Sequence, residues 1–333
     1  MRSILVCEKE EKITQVYEES LLLDLREQAG LDPVIYSKED ILASPKDFSD
    51  VDYLFSTWGM PVFSEEEIGV CLPNLKAVFY AAGTVQRFAR PFLKRGIEVY
   101  SAWAANAVPV AEYTVAQILL ANKGFYTQTR LMAQKRLKDA NARKKVCIGN
   151  YGEKIGLVGC GMIGSLVAKM LGSYHLEVLV FDPFLSQERA KELGVTSVSL
   201  EELFASCRVV SNHLANHEAT KGMLTYRHFS SMPQQATFLN TGRGAQVVEA
   251  DLVRALEERE DLTAVLDVTD PEPCPIDHPF YSLSNCFLTP HIAGSLGDET
   301  HRMAEYMKAE WEAVVSGNPT HYSVSEKMLE TMA

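Results

Sequence analysis

The sequence predicts an α/β protein with two domains, each built around a parallel sheet. The chain has 333 residues, which is more than the roughly 100–200 residues of a typical single domain. Short apolar runs alternate with helical patterns in both halves of the chain, as strands and helices do in parallel α/β folds. A composition of 47% hydrophobic and 23% charged residues is that of a folded globular protein.

The first hundred residues contain four short apolar runs that predict strands. They are Ile4 to Val6, Tyr53 to Phe55, Ala77 to Tyr80 and Glu98 to Tyr100. The first run is too short, and too closely followed by charged residues, for a signal peptide, so we expect a buried strand there. The seven cysteines are scattered without a C-x-x-C pair, a pattern that indicates neither disulfides nor a metal site and favours a cytoplasmic location.

The charge balance limits the classes of partner. The formal net charge is −12, whereas binding to a phosphate backbone demands a basic face, so we expect no nucleic acid. No apolar stretch approaches the ~20 residues of a membrane span, so we expect no membrane insertion. A small molecule is the partner class that remains.

A bridging helix and a second series of strands follow. Asn106 is a suitable N-cap, and Pro109 would then lie in the tolerated first turn of a helix whose apolar face runs from Ala111 to Leu119. The stretch from Lys123 to Tyr151 predicts a helix plus a connecting loop. Six strands joined by helices then predict a doubly wound sheet. The strands are Ile155 to Val158, Val178 to Phe181, Val209 to Ser211, Thr237 to Leu239, Ala264 to Leu266 and Phe287 to Leu288.

The sharpest local signal is a glycine turn, G-L-V-G-C-G-M-I-G, between a predicted strand and a helix. Gly159 permits the tight turn, Gly161 lets backbone amides approach a pyrophosphate, and Gly164 allows close packing of the helix on the strand. We expect a helix from Ser165 to Leu171, and its N-terminus, with Met162 and Ile163 just before it, would bind the phosphates. Alone, the pattern is weak, because glycine turns also occur in folds that bind nothing.

Asp182 strengthens the prediction of a dinucleotide site. It ends the following strand, close to where an acidic residue would bind the ribose hydroxyls, and its charge would repel the extra phosphate of NADP. A solvated aspartate that opens a turn before Pro183 is the ordinary alternative. Because both features lie in register within one βαβ unit, we expect NAD as the cofactor.

Three later segments carry a resemblance to a known family. They read N-T-G-R-G, L-D-V-T-D-P-E-P and L-T-P-H-I-A-G, and they begin at Asn240, Leu266 and Leu288. With the glycine turn and the D-P-F that starts at Asp182, they resemble the signature segments of the D-isomer-specific 2-hydroxyacid dehydrogenases. The resemblance implies two Rossmann-like or flavodoxin-like domains with parallel sheets and a cleft between them. The substrate domain would comprise residues 1–103 plus 296–333, and the dinucleotide-binding domain residues 104–295.

The resemblance also implies a catalytic triad of Arg243, Glu272 and His291. Arg243 offers a planar fork of donors for a carboxylate and for the carbonyl of a 2-oxo acid. His291 would exchange a proton with the carbonyl oxygen as hydride is transferred, and it would lie beside the cofactor. Glu272 would orient the imidazole and favour its protonated form. Taken singly, each has an ordinary alternative: a loop charge, an exposed acid and a structural histidine.

Further residues have implied roles in binding. Asp267 would contact the nicotinamide amide, although it could instead cap the following turn. Thr241 and Gly242 lie where the backbone approaches the cofactor. The substrate loop would use amides around Ala82, Gly83 and Thr84 to bind the substrate carboxylate, and an ordinary strand-to-helix turn is the alternative.

Two segments depart from the family's pattern. Gln86 and Arg87 follow Val85 where the family usually has an acidic residue, which indicates a different substrate preference. Ala215 lies where a proline is usual, so we expect a looser loop and altered cofactor affinity.

These observations predict an NAD-dependent D-2-hydroxyacid dehydrogenase, a homodimer as the family implies. Its substrate would be a small 2-oxo or D-2-hydroxy acid. Two alternatives remain open. One is a corepressor-like protein that senses NAD(H) without catalysis. The other is a formate dehydrogenase, which Glu272 disfavours because formate oxidation needs no proton donor.

Overall fold

The computed structural model describes residues 1–144 and 149–330. The chain divides into two compact units, Met1–Asn106 with Ser295–Ala333 and Ala107–Gly294. The domain boundaries predicted from the sequence, 103/104 and 295/296, lie beside the borders of these units. None of the helices in the described ranges combines the length and apolar character that a membrane span requires.

The first unit contains a five-stranded parallel sheet in the order β2-β1-β3-β4-β5. The strands are β1 (Ser3–Val6), β2 (Leu31–Tyr36), β3 (Tyr53–Ser56), β4 (Ala77–Tyr80) and β5 (Glu98–Ser101). The four predicted strands are confirmed, and β2 is an addition. It lies at the edge of the sheet, contains Pro33 and leaves several residues exposed, as edge strands tolerate.

Helices cover the sheet of the first unit. They are α1 (Glu10–Val16), α2 (Glu19–Ala29), α3 (Lys38–Ala43), α4 (Glu65–Cys71) and α5 (Ala89–Lys94). Ser64 begins α4 with a capping box, in which its hydroxyl accepts from Glu67 N and the Glu67 carboxylate accepts from Ser64 N. A continuous apolar core includes Phe55, Phe79 and Tyr100, whose rings stack across neighbouring strands.

Helix α6 (Trp103–Asn122) begins in the first unit and continues into the second. The prediction that Asn106 caps this helix is wrong. Asn106 N already donates to Ala102 O at 3.2 Å, because Trp103 and the alanines before Asn106 extend the helix by one turn. The Asn106 side chain instead accepts from Ser295 N at 3.0 Å. Pro109 therefore lies inside the helix rather than in its first turn.

The second unit contains a seven-stranded parallel sheet in the order β12-β11-β10-β9-β6-β7-β8. The strands are β6 (Tyr151–Val158), β7 (His175–Phe181), β8 (Thr196–Ser197), β9 (Val209–Asn212), β10 (Thr237–Asn240), β11 (Thr263–Leu266) and β12 (Cys286–Leu288). The six predicted strands are confirmed, and the two-residue β8 is an addition. Strands β9, β10 and β11 are buried throughout, as expected for parallel strands covered on both faces.

Helices of the second unit pack on both faces of its sheet. They are α7 (Phe125–Ala133), α8 (Leu137–Lys144), α9 (Met162–Leu171), α10 (Gln187–Leu193), α11 (Leu200–Ser206), α12 (Tyr226–Ser231) and α13 (Glu249–Glu258). Alternate strand residues belong to two core clusters, one with Phe238 and Leu266 and the other with Leu239 and Val265. This alternation is the period-2 geometry of a strand between two layers.

The chain returns to the first unit through α14 (His301–Ser316), which ends at Gly317 in the left-handed region, φ 68°. The segment after α14, a polar tail in sequence, then runs beside β5. Ser101 N donates to Tyr322 O at 3.1 Å, and Val324 N donates to Val99 O at 2.7 Å. Gln86 Nε2 donates to Leu329 O at 2.6 Å.

Candidate active site

The candidate site lies at the carboxyl edge of the second unit's sheet, where ligands bind in open α/β folds. The chain runs from β6 outwards through β7 and β8 and then returns to the other side of β6 with β9. Loops that leave β6 and β9 therefore part at a topological switch point. The glycine turn follows β6, and the other predicted site residues of this unit follow β7, β10, β11 and β12.

The glycine turn leaves no room for side chains where it meets its neighbours. Gly159 has φ +95°, and an added Cβ would lie 2.7 Å from His213 O. A Cβ on Gly164 would lie 2.2 Å from Gly159 O, whereas one on Gly161 would meet nothing within 4 Å. Two glycines thus allow close packing, and the third leaves an open face on the backbone.

That open face fits the diphosphate of a dinucleotide. Helix α9 begins at Met162 directly after Gly161, and the first amides of a helix, here Met162 and Ile163, have no acceptor within it. Those amides and the positive end of the helix dipole favour an anion at this position.

Asp182 connects the glycine turn to the end of β7. Its Oδ2 accepts from Cys160 N at 2.7 Å, and its Oδ1 accepts from Phe184 N at 2.8 Å. The bond to Phe184 is the turn that the ordinary alternative predicted. A carboxylate has about four lone-pair sites, so these two bonds leave acceptors for ribose hydroxyls.

Glu272 and His291 form a direct pair. Glu272 Oε1 lies 2.5 Å from His291 Nδ1, and the two side chains are 40% and 44% exposed. An ionised carboxylate only accepts, so Nδ1 carries the hydrogen and Nε2 is left for another partner. The backbone of His291 adopts φ 54°, a strained conformation for a residue with a side chain, and His291 N donates to Asp267 O at 3.0 Å.

Arg243 is half-buried in the loop after β10. Its Nη1 donates to Gly242 O at 2.7 Å, and its backbone N donates to Gln246 Oε1 at 3.0 Å. Burial lowers the pKa of the Arg243 guanidinium, and the negative charge of Glu272 opposes that shift. Glu272 therefore contacts His291 and interacts electrostatically with Arg243, so the structure brings the three predicted catalytic residues together.

Asp267 is 3% exposed and holds the loop that carries His291. Its Oδ1 accepts from Thr289 Oγ1 at 2.6 Å and from Ile292 N at 2.8 Å, and its Oδ2 accepts from Ala293 N at 2.9 Å. Tyr113 OH lies 3.2 Å from Thr289 Oγ1. The carboxylate thus fixes the loop after β12 and not the turn that directly follows Asp267, as the alternative predicted. Its contact with a nicotinamide amide stays a prediction.

A buried polar network under the site escaped sequence reasoning. Asn212 Nδ2 donates to Gln246 Oε1 at 2.7 Å and to Asn240 Oδ1 at 3.0 Å. Asn240 Oδ1 also accepts from Gly242 N at 3.1 Å, beside Thr241, which is buried. An asparagine at the end of each of two neighbouring strands, β9 and β10, was the available signal.

The same network restrains the loop that contains Ala215. Gln246 Nε2 donates to Leu214 O at 3.0 Å and to Ala215 O at 3.2 Å, and Thr220 Oγ1 donates to Ala215 O at 2.7 Å. We expected a loose backbone without the usual proline, but these hydrogen bonds fix it. An effect of Ala215 on cofactor affinity stays a prediction.

The predicted substrate loop lies in the first unit, at the carboxyl end of β4. Ala82 is buried, Gly83 is half-buried and Thr84 is exposed. Ser101 Oγ donates to Ala82 O at 2.9 Å and to Gly83 O at 2.5 Å. The side chain of Ser101 thus fixes the carbonyls of the loop. The role of the loop's amides in substrate binding stays a prediction.

Comparison with known proteins identifies the segment that carries this site. Residues 115–293 match the family model described as D-isomer specific 2-hydroxyacid dehydrogenase, NAD binding domain. This match to an NAD binding domain confirms the NAD prediction, and it contains the glycine turn, Asp182 and the three predicted catalytic residues.

Curated relatives carry several names. A glyoxylate reductase of Korarchaeum cryptofilum is 31% identical over 77% of this chain and 77% of its own length. A formate dehydrogenase of Neurospora crassa is 33% identical over 67% of this chain and 61% of its own length. A D-3-phosphoglycerate dehydrogenase of Archaeoglobus fulgidus is 30% identical over 71% of this chain but only 44% of its own length. The chain thus spans less than half of that last relative.

A solved structure shares the fold along nearly the whole chain. The crystal structure of a phosphoglycerate oxidoreductase from Rhizobium etli has a TM-score of 0.82 at 22% identity, and the match covers 98% of this chain and 99% of that one. The predicted α/β architecture with two parallel sheets is confirmed.

Proposed function

Because the chain belongs to the D-isomer specific 2-hydroxyacid dehydrogenase family and has its NAD binding domain, we propose that it is an NAD-dependent dehydrogenase of small D-2-hydroxy acids. The observation that carries the proposal is the 2.5 Å contact between His291 Nδ1 and Glu272 Oε1. It lies at the same sheet edge as the glycine turn. A proton donor supported by a carboxylate suits the reduction of a carbonyl.

Each residue of the triad has a role in this reaction. When bound, NAD⁺ would accept the hydride in the oxidative direction and NADH would supply it in the reductive direction. Arg243 binds the substrate carboxylate and polarises the carbonyl with its fixed fork of donors. His291 transfers its Nε2 proton to the carbonyl oxygen as the carbon is reduced, and in the oxidative direction it accepts that proton. Glu272 stabilises the imidazolium that this cycle requires.

The decisive test is an NADH oxidation assay with a panel of 2-oxo acids: glyoxylate, pyruvate, hydroxypyruvate, 3-phosphohydroxypyruvate and phenylglyoxylate. We expect turnover with at least one of them. His291→Ala should lower kcat/KM by about 10²–10⁴, the usual contribution of a general acid. His321→Ala is a matched control, because His321 is exposed in the segment after α14. Full activity of the His291 variant would eliminate the proposed proton transfer.

Assays on the same purified protein also distinguish two alternative functions. A formate dehydrogenase would reduce NAD⁺ with formate, and the neighbourhood of Glu272 and His291 disfavours that chemistry because formate oxidation releases hydride without needing a proton donor. A non-catalytic sensor would bind NADH tightly and turn over none of the acids. Either result would replace the proposed function.

We also propose that the protein is a homodimer that pairs through its NAD binding domain. Large apolar side chains are exposed along α6, α7 and α8 and at the start of β6. They are Leu120, Phe125, Met132, Leu137 and Tyr151. Large apolar side chains that are exposed on successive elements of one unit are typical of subunit interfaces. Light scattering should give twice the chain mass of 37.1 kDa, and Met132→Glu should shift the equilibrium towards monomer.

We also propose a cytoplasmic location, which cell fractionation would test.

A further inference from the structure

The segment that carries Glu272 is held at both ends by one carboxylate, that of Glu249. Glu249 Oε1 accepts from Asp270 N at 2.9 Å, two residues before Glu272. Glu249 Oε2 lies 3.3 Å from His278 Nε2, and the side chains of Glu249 and His278 are 14% and 19% exposed. The two oxygens of Glu249 therefore hold residues 270 and 278, the ends of this segment.

The contact with His278 does not require a charged imidazole. Phe280 N donates to His278 Nδ1 at 3.3 Å, so Nδ1 is the acceptor and Nε2 carries the hydrogen. The neutral ring of His278 thus also carries its hydrogen on Nε2, the atom that lies 3.3 Å from Glu249 Oε2. Burial raises the pKa of Glu249, while the amide of Asp270 and the ring of His278 oppose that shift.

Glu249 belongs to a helix that is anchored in the core. It is the first residue of α13, whose Leu252, Ala255 and Leu256 are buried in the core of the second unit. On the other side, the start of the segment touches the Arg243 loop, since a Cβ on Gly244 would lie 2.0 Å from the carbonyl carbon of Thr269. The segment is thus fixed between the arginine loop and Glu249.

We propose that Glu249 is a positioning residue for the reaction: it holds residues 270–278 so that Glu272 meets His291. The inference rests on the proposed function and deepens it, because Glu249 touches neither His291 nor substrate and acts through the main chain of the Glu272 segment. The two glutamates thus act in sequence: Glu249 fixes the backbone of the segment, and Glu272 fixes the imidazole of His291.

The first test measures position without activity, by hydrogen–deuterium exchange. Glu249→Ala removes both acceptors, and we expect faster exchange in peptides that cover residues 269–278. Glu249→Gln keeps one oxygen for Asp270 N but faces His278 with a second donor, so it should give an intermediate increase. Glu257→Ala, an exposed position on the same helix, should change nothing. Unchanged exchange in both Glu249 variants would overturn the proposal.

The second test asks whether Glu249 acts through Glu272. Misplacement of a catalytic group by about 1 Å costs up to about 10²-fold in rate, so Glu249→Ala should lower kcat by about tenfold or more with little change in KM. In a Glu272→Gln background the same substitution should lower kcat by less than about twofold, because the interaction it supports is already lost. Equal losses of kcat in both backgrounds would show that the two glutamates act independently, and would refute the proposal that Glu249 acts through Glu272.

The two proposals fail in different ways. A wild-type protein that oxidises NADH with none of the acids would refute the proposed function even if exchange in residues 269–278 responds to Glu249. Normal turnover with no exchange response would leave the function intact and remove the positioning role. Where Glu249→Ala does not fold, Glu249→Gln carries both tests, since it retains the bond to Asp270.

Discussion

Removal of the Asp267 carboxylate is expected to destabilise the second unit more than any surface substitution does. The side chain is 3% exposed, and its two oxygens accept three hydrogen bonds, from Thr289 Oγ1, Ile292 N and Ala293 N. Asp267→Ala leaves all three donors without their acceptor in a place that water reaches poorly. The substitution should loosen the loop that carries His291, where the backbone carbonyl of Asp267 also accepts from His291 N.

The magnitude follows from the number of bonds lost. An unsatisfied buried donor costs about 1–3 kcal/mol, and three that share one carboxylate give roughly 3–5 kcal/mol after the loop relaxes towards solvent. Asp267→Asn should cost less, about 1–3 kcal/mol, because an amide oxygen at the Oδ1 position still serves Thr289 and Ile292. Only the donor at Ala293 then faces another donor.

Urea unfolding measures both variants. The three tryptophans, Trp58, Trp103 and Trp311, all lie in the first unit, so their fluorescence follows that unit, whereas far-ultraviolet circular dichroism reports the helices and strands of both units. We expect the dichroism transition to move to lower urea in the order alanine, asparagine, wild type. Asp277→Ala, in an exposed loop, is the control and should stay within about 0.5 kcal/mol of wild type. An alanine variant as stable as this control, or one that moves only the tryptophan transition, would refute the reasoning.

Three further predictions concern the neighbouring loops. Gly244→Ala should destabilise the protein by about 1–3 kcal/mol or more and lower kcat, because the new Cβ would lie 2.0 Å from backbone of Thr269; a wild-type urea midpoint would contradict this. Burial lowers the pKa of His213 to about 4 from 6.5, so the unfolded state takes up this proton first on acidification. The contribution of the neutral ring to stability is complete above about pH 6.5 and is lost as the pH falls towards 4, and His213→Gln should flatten that decline in urea midpoints between pH 7 and 5. Asp182→Ala should weaken NADH binding and reduce discrimination against NADPH, measured by fluorescence titration; unchanged discrimination would remove the assignment to ribose, and any loss of stability would reflect the bond to Cys160 N.

The central strands were predictable because burial on both faces demands uninterrupted apolar residues. Strand β4 was predicted with its observed bounds, Ala77–Tyr80. Strand β2 escaped prediction because an edge strand is only partly buried and so needs few apolar residues. Pro33 also interrupts its pattern. The predicted start of α6 is wrong because Asn106 has the residue type of a cap, whereas Trp103 and the two alanines after it are already helical.

The chemistry of the site was more visible in sequence than its support. The glycines, Asp182 and the proposed triad have the residue types that their proposed roles require, so their order along the chain is informative. The burial of Asn212 and Gln246 is harder to predict, because it depends on a contact across 34 positions of sequence. The same holds for Glu249, an acidic residue in the first turn of a helix, where a favourable dipole would alone have explained it.

The backbone of His291 carries a consequence for the evolution and engineering of this chain. A left-handed conformation costs a residue with a side chain about 1–3 kcal/mol, a cost that glycine would avoid. At this position, therefore, glycine would relieve the backbone strain, whereas the proposed proton transfer requires histidine. Selection for heat resistance alone would favour loss of the imidazole, and directed evolution of a more robust variant must screen for turnover at every round to keep it.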